Sequence, residues 1–169
     1  EGTVEGLIEV GDVRLWHRIT GEGDQVVQIH GAGFGHFNFD PTTPELSKRF
    51  RVIDFDMRGY GASDRPVQDY DMEVWADDVA GVLDALGIER AHVHGTSMGG
   101  MIAIAFAAKH GERTIAACAD VAFAKPDVYR KTLFRVWRRM AESMPWDDFS
   151  DHVTTQAVGP KFLESEEGK

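Results

Sequence analysis

Five consecutive residues, Gly95-Thr96-Ser97-Met98-Gly99, form the pattern G-x-S-x-G between an apolar run, Ala91-His92-Val93-His94, and a helix-forming run from Met101 to His110. A serine at the apex of a strained strand-to-helix turn exposes its hydroxyl for attack on a carbonyl carbon. The flanking glycines suit such a turn, because the two backbones approach too closely for side chains and the dihedrals are unusual. Gly100 adds a third small residue. A second segment, His30-Gly31-Ala32-Gly33-Phe34-Gly35, can turn its backbone N–H groups outward, as stabilising a developing oxyanion requires. The same glycines also suit a plain structural turn. A phosphate-binding loop is disfavoured, since the segment has no Lys or Arg and satisfies neither G-x-x-x-x-G-K-S/T nor G-x-G-x-x-G.

Chemistry at these residues needs elements that hold them. Gly6 to Val10 and Val13 to Ile19 read as two strands around Gly11-Asp12, a two-residue hairpin turn in which glycine supplies the positive dihedral. Gln25 to His30 and Arg51 to Asp56 are short apolar runs of the kind buried on both faces of a sheet, with a short helix over roughly 44–50 between them. Trp75, Val79, Val82, Leu83 and Leu86 make a helical stripe over 72–86, with Asp71 as N-cap and Gly87 as stop. A strand at 91–95, a helix at 98–110 closed by Gly111, and a strand at 114–119 follow. Alternation of this kind predicts parallel pairing with right-handed crossovers, hence an α/β fold with a doubly wound, mostly parallel sheet. Both glycine-rich segments follow strands, where such sheets bind ligands. A third loop, Asp56-Met57-Arg58-Gly59-Tyr60-Gly61-Ala62-Ser63-Asp64, carries charges expected to be structural, with Asp56 or Asp64 pairing with Arg58.

His30-Gly31-Ala32-Gly33, then Asp56 to Ser63, then Gly95 to Gly100 resemble the three signposts of the α/β-hydrolase superfamily in order and spacing, over about residues 6–122. The resemblance implies that Ser97 is the nucleophile and that the N–H groups of Ala32 and Met98 form the oxyanion hole. It also implies the chain order serine, acid, histidine. Only His110 and His152 follow Ser97. His110 sits at the far end of the helix that Ser97 begins, nearly 20 Å away at about 1.5 Å per residue. His152 lies in a polar stretch with no strand before it and no family motif around it. His92 and His94 alternate with valine before the elbow and read as packed or hydrogen-bonded. Asp120, after the strand at 114–119, is the candidate acid; the alternative is a structural residue at a strand end.

Many relatives insert a helical cap after this point, so the resemblance divides the chain into a hydrolase core at 1–122 and the beginning of a cap at 123–169. Residues 126–141 fit a cap helix: Tyr129, Leu133, Val136, Trp137 and Met140 form one apolar stripe, and five Arg and Lys residues the other face. Gly33, Phe34 and Trp137 are candidate substrate-pocket residues; Phe37, Phe39 and Met140 fit either a pocket or a core. The expected fold is incomplete at its C-terminal side, lacking the last strands, the triad histidine and, with Asp120 read as structural, the acid. Three explanations fit: a fragment, one piece of a two-chain protein, or a complete short protein that uses the fold without the chemistry. The first two are favoured, because a sheet ending at 114–119 exposes an apolar edge that a second chain or further segment, or another copy of this chain, would cover.

Composition narrows the partners. A formal charge of -10 over 169 residues argues against binding nucleic acid or anionic membrane, both polyanions. Cys118 is the single cysteine, so no intramolecular disulfide forms, and no apolar stretch of about 18 residues or signal-peptide pattern occurs. A cytoplasmic protein is expected. The chemistry calls for no cofactor and no metal. The elbow resembles those of esterases, enol-lactonases and C–C bond hydrolases more than those of dehalogenases, whose nucleophile is aspartate. The expectation is therefore a serine hydrolase acting through an acyl-enzyme on a small ester or lactone. Alternatives are C–C bond hydrolysis, cofactor-free haloperoxidase chemistry, or a binding protein that keeps the pocket without turnover.

Overall fold

The structure is a computed structural model that describes residues 2–165. β1 (Val4–Val10) and β2 (Val13–Thr20) form the antiparallel hairpin, with Gly11 at φ 59° in its turn. β2 pairs antiparallel with β4 (Phe50–Phe55), while β3 (Asp24–Ile29), β4, β5 (Ala91–Thr96) and β6 (Thr114–Asp120) run parallel. The strand order is β1-β2-β4-β3-β5-β6. From β3 the chain moves outward to β4, then returns past β3 to build β5 on its other side. The crevice between the carboxyl ends of β3 and β5 is thus the point where strand order reverses, the usual ligand position in open α/β sheets.

One face of the sheet holds the core. Val27, Ile29, Ile53, Phe55 and Val93 are buried there with Val79, Val82 and Leu83 of α2 (Met72–Ala85) and Ile102 and Phe106 of α3 (Met98–Lys109). Each such side chain contributes about 1.5–3 kcal/mol on burial. Asp71 caps α2 as expected, its carboxylate accepting from the Val74 N–H at 2.8 Å. The opposite face is thinly covered by a 3-10 turn, His36–Phe39, and by α1 (Thr43–Leu46). Beside them runs an apolar groove of about 590 Å³ lined by Val26, Leu46, Phe50, His92, Ala116 and Cys118 among others. β6 forms one edge of the sheet, exposed from Ile115 to Asp120.

Several elements differ from the sequence expectation. α1 is one turn over 43–46 rather than a helix to 50, because Phe50 is recruited into β4, where it pairs with Asp24. The expected partner of Arg58 is also different. Its guanidinium turns toward α2, donating to both Asp78 oxygens at 2.6 Å and to Asp12 at 3.1 Å. Asp78 is buried on α2 and needs a cation; Asp64 instead faces β2 and pairs with Arg14, while the Asp56 carboxylate accepts from N–H groups of two loops.

The chain divides into two compact units, one ending at Ala124 and one starting at Lys125. In the second, α4 (Val128–Ser143) begins two residues later than 126 because Asp127 is its N-cap, accepting from the Arg130 N–H at 2.8 Å. Within α4, Phe134 and Trp137 meet edge to face at 5.7 Å, and the Trp137 indole N–H is buried without a hydrogen-bond partner among the described residues. α5 (Trp146–Ala157) occupies the stretch read as polar, and α6 (Pro160–Leu163) is a single turn. α5 forms because Asp147 and Asp148 favour its N-terminal dipole and Phe149, His152 and Val153 form a half-buried stripe. Among the described residues no helix is long and apolar enough to cross a membrane.

Candidate active site

Ser97 lies between β5 and α3 with φ 56° and ψ -115°. Among the described residues it is one of two non-glycine residues with positive φ, the other being Val121 at 46°. Such a conformation costs of order 1–3 kcal/mol and persists only where the surroundings impose it. Here the surroundings do so: the Ser97 N–H donates to the Asp120 carbonyl at 2.8 Å, and the Ser97 carbonyl accepts from Met101 N–H at 3.0 Å. A Cβ on Gly99 would overlap the carbonyl oxygen of Ile29, and one on Gly95 would overlap the Gly99 carbonyl. Strand and helix therefore meet as closely as the sequence pattern predicts. Ser97 occupies the N-cap position, yet its side chain makes no capping bond. It is exposed, and among the described residues nothing hydrogen-bonds its hydroxyl.

The loop after β3 runs beside it. A Cβ on Gly31 would stand 3.6 Å from Ser97 Cβ and 3.4 Å from the Thr96 carbonyl. His30 anchors that loop from below: its buried ring accepts the Met57 N–H at Nε2 (3.1 Å), so Nδ1 carries the proton and donates to the Gly31 carbonyl at 2.9 Å. Burial pushes the His30 pKa down, keeping the ring neutral, as this bonding requires. Asn38 accepts the Gly31 N–H at 3.0 Å. The N–H groups of Ala32 and Met98 have no acceptor among the described residues; Met98 opens α3, where the first amides lack helical partners. Phe34 and Phe37 are half-exposed, their ring centroids 6.0 Å apart, whereas Phe39 is buried. Gly33 is exposed at φ 79°.

A single carboxylate ties the first loop to the one after β4. Asp56 accepts from the His36 N–H (2.7 Å), from His36 Nδ1 (3.0 Å) and from the Ala62 N–H (2.9 Å). Burial pushes its pKa up, but these bonds from Ala62 and His36 together outweigh it and hold the carboxyl below its ordinary value. His36 also stacks against Trp16 at 3.9 Å. Nothing in the spacing of His36 and Asp56 announces this contact, which exists only because β3 and β4 are neighbours.

The histidines around Ser97 are engaged elsewhere. His94 faces Gln28 Oε1 at 3.2 Å and Asp120 Oδ2 at 2.8 Å, so neither ring nitrogen is free to take the serine proton. His92 packs edge-on against Phe50 and lies about 16 Å back along the strand at 3.3 Å per residue. His110 closes α3 and bonds Asp77 at 3.0 Å; His152, in the second unit, bonds Gln156 at 2.8 Å. Asp120 holds the elbow through its carbonyl and His94 through its carboxylate. The structure thus gathers Ser97, Met98, the Ala32 loop and Asp120 at the ends of β3, β5 and β6. The His94–Asp120 pair is legible only once β5 and β6 are set in register.

The sequence profile of the alpha/beta hydrolase fold matches residues 25–155. A 2-hydroxymuconate semialdehyde hydrolase of Pseudomonas sp. (strain CF600) is 47% identical over 98 residues, covering 56% of this chain and 35% of that protein. A 2-hydroxy-6-oxo-2,4-heptadienoate hydrolase of Pseudomonas putida is 41% identical over 111 residues, 63% of this chain and 40% of that protein. Among solved structures, the enol-lactonase from Burkholderia xenovorans LB400 superposes with a TM-score of 0.87 at 28% identity, covering 94% of this chain and 62% of that one. The chain spans less than half the length of the curated relatives it matches. A match over most of the chain, on a sheet whose switch point carries a strained serine elbow, places this protein in the α/β-hydrolase fold family.

Proposed function

We propose that this chain carries the nucleophile and oxyanion half of a serine hydrolase that cleaves a small carboxylic ester or lactone through an acyl-enzyme. The observation that carries the reading is Ser97 itself, held at positive φ with its hydroxyl exposed and unused as a helix cap. In this reading Ser97 Oγ attacks the carbonyl, and the Ala32 and Met98 N–H groups stabilise the oxyanion; one such donor is worth about 3 kcal/mol. Gly33 and Phe34 line the acyl site beside it, and the unit from Lys125, with Trp137, begins a cap. A serine needs a base to take its proton. With His94 bonded on both nitrogens, the base is supplied by polypeptide that also pairs with the open edge of β6. Asp120, already bonded to His94, serves the elbow more directly than it serves as the triad acid. A second reading, C–C bond hydrolysis next to a carbonyl, draws support from the two Pseudomonas hydrolases and uses the same residues.

A fluorophosphonate probe tests the nucleophile. One label per molecule at Ser97 of the whole protein, absent in Ser97→Ala, is the expected result. Labelling that survives Ser97→Ala refutes Ser97 as the nucleophile, and no labelling at all refutes the reading and leaves a binding protein. Turnover of an aryl ester against that of a dienoate C–C substrate then separates the two reactions.

A further inference from the structure

The sheet face opposite α2 and α3 carries a polar row that the hydrolase reading does not use. Parallel register sets His94 of β5 beside Gln28 of β3 and Cys118 of β6, with Asp120 two residues on and so on the same face. The row begins at Arg18, which donates to Asp54 at 2.9 Å. The Gln28 amide donates to Asp54 Oδ1 at 2.7 Å and to Thr43 Oγ1 at 2.9 Å, which uses both its protons and turns Oε1 toward His94 Nδ1. Nδ1 therefore carries the proton. In a neutral ring Nε2 then presents a lone pair, and it presents it to Asp120 Oδ2 at 2.8 Å. Either a proton on Nε2 or a metal ion joins the two at that position.

A third ligand is at hand. Cys118 Sγ is 3.7 Å from Asp120 Oδ1, and one ligand atom from each of His94, Cys118 and Asp120 lies within 4.8 Å of the others. We propose that these three side chains bind one divalent transition-metal ion of the zinc or cobalt type. An imidazole, a thiolate and a carboxylate form the mixed N, S, O set that such ions take in tetrahedral sites with one position open. Bonds of about 2.0–2.3 Å in that geometry set ligand atoms about 3.5 Å apart. The separations here bracket that value, and Asp120 and Cys118 are exposed enough to adjust. The charge balances: binding releases the Cys118 thiol proton to solvent, and thiolate plus carboxylate neutralise the ion. The Gln28–Asp54–Arg18 row plays the orienting part that metal-bound histidines require behind them. Cys118 and His94 also line the apolar groove, which gives the ion an entry path. Since the Asp120 carbonyl accepts the Ser97 N–H, a bound ion would brace the strand pair beneath the elbow.

Titration of the whole protein with Co²⁺ provides the test. One ion per chain, a thiolate-to-cobalt charge-transfer band and release of one proton are expected; Cys118→Ser should lose the band, and His94→Gln should weaken binding at least tenfold. In the unaltered protein, Zn²⁺ should slow iodoacetamide alkylation of Cys118 at least tenfold, a measurement that needs no variant to fold. No saturable binding, no protection of Cys118, or an unchanged cobalt spectrum in Cys118→Ser overturns the proposal. So does a metal-free His94 whose nitrogen shifts show a doubly protonated ring while cobalt fails to bind, because a proton alone then joins the pair.

Discussion

Replacing Arg58 with Met is the sharpest probe of how the loop after β4 is held. Arg58 and Asp78 expose only 8% and 3% of their side chains and share two bonds of 2.6 Å. Methionine keeps the volume and leaves Asp78 a buried carboxylate without its partner. The penalty has a ceiling, because Asp78 can escape by taking a proton. From the ordinary carboxyl value of 3.8, protonation at pH 7 costs about 4 kcal/mol, so the variant should lose up to about 4 kcal/mol there. The sign with pH follows. Burial already raises the Asp78 pKa against the pull of Arg58, so the folded state binds this proton more tightly than the unfolded chain does, and the stabilisation is lost as pH rises. Without Arg58 that loss extends upward, and above the raised Asp78 pKa of the unaltered protein the penalty should grow by about 1.4 kcal/mol per pH unit. Urea unfolding read at Trp75, whose indole donates to the Arg58 carbonyl, reports this directly once Trp16, Trp137 and Trp146 are Phe. Adding Asp78→Leu should restore all but about 1–2 kcal/mol, since well-packed apolar residues often replace buried ion pairs without loss. A penalty that is flat with pH, or a double variant no better than Arg58→Met, would refute the assignment.

Other perturbations reach the elbow and the loops. Gly99→Ala should destabilise by about 3 kcal/mol and abolish probe labelling at Ser97, because its methyl overlaps the Ile29 carbonyl; a thermal melt and the label read both. Asp56→Asn should cost about 1.5–3 kcal/mol at neutral pH through weakened bonds from His36 and Ala62. The lowered Asp56 pKa means that its stabilisation is present above 3.8 and lost as pH falls through the folded value, so the Asn variant should show a flatter acid limb in urea midpoints.

Local signals were strong where one segment decided its own structure. The α2 stripe, its Asp71 cap and the Gly11 turn are statements about neighbours in sequence, and the elbow glycines predicted a close approach that Gly95 and Gly99 show. Contacts set by topology were not legible in this way. Arg58 finds Asp78 across a loop and two helical turns, where nearer acids offered a simpler pairing. His94 finds Asp120 only through the β5–β6 register, and His36 finds Asp56 only because β3 and β4 adjoin. α5 was hidden for another reason: its stripe is short, and its acidic first turn reads as loop until Pro145 is seen as the residue that starts it.

The Asp56 carboxylate bears on how this scaffold can be altered. It accepts N–H groups from both the His36 loop and the Ala62 loop, so neither loop has a conformation of its own independent of the other. Loop exchange between relatives should therefore succeed when the two segments travel together with the aspartate and fail when one is grafted alone. In the proposed hydrolase, changes of substrate preference should fall at positions beside those anchor points, Ala32 to Phe34 on one side and Tyr60 on the other.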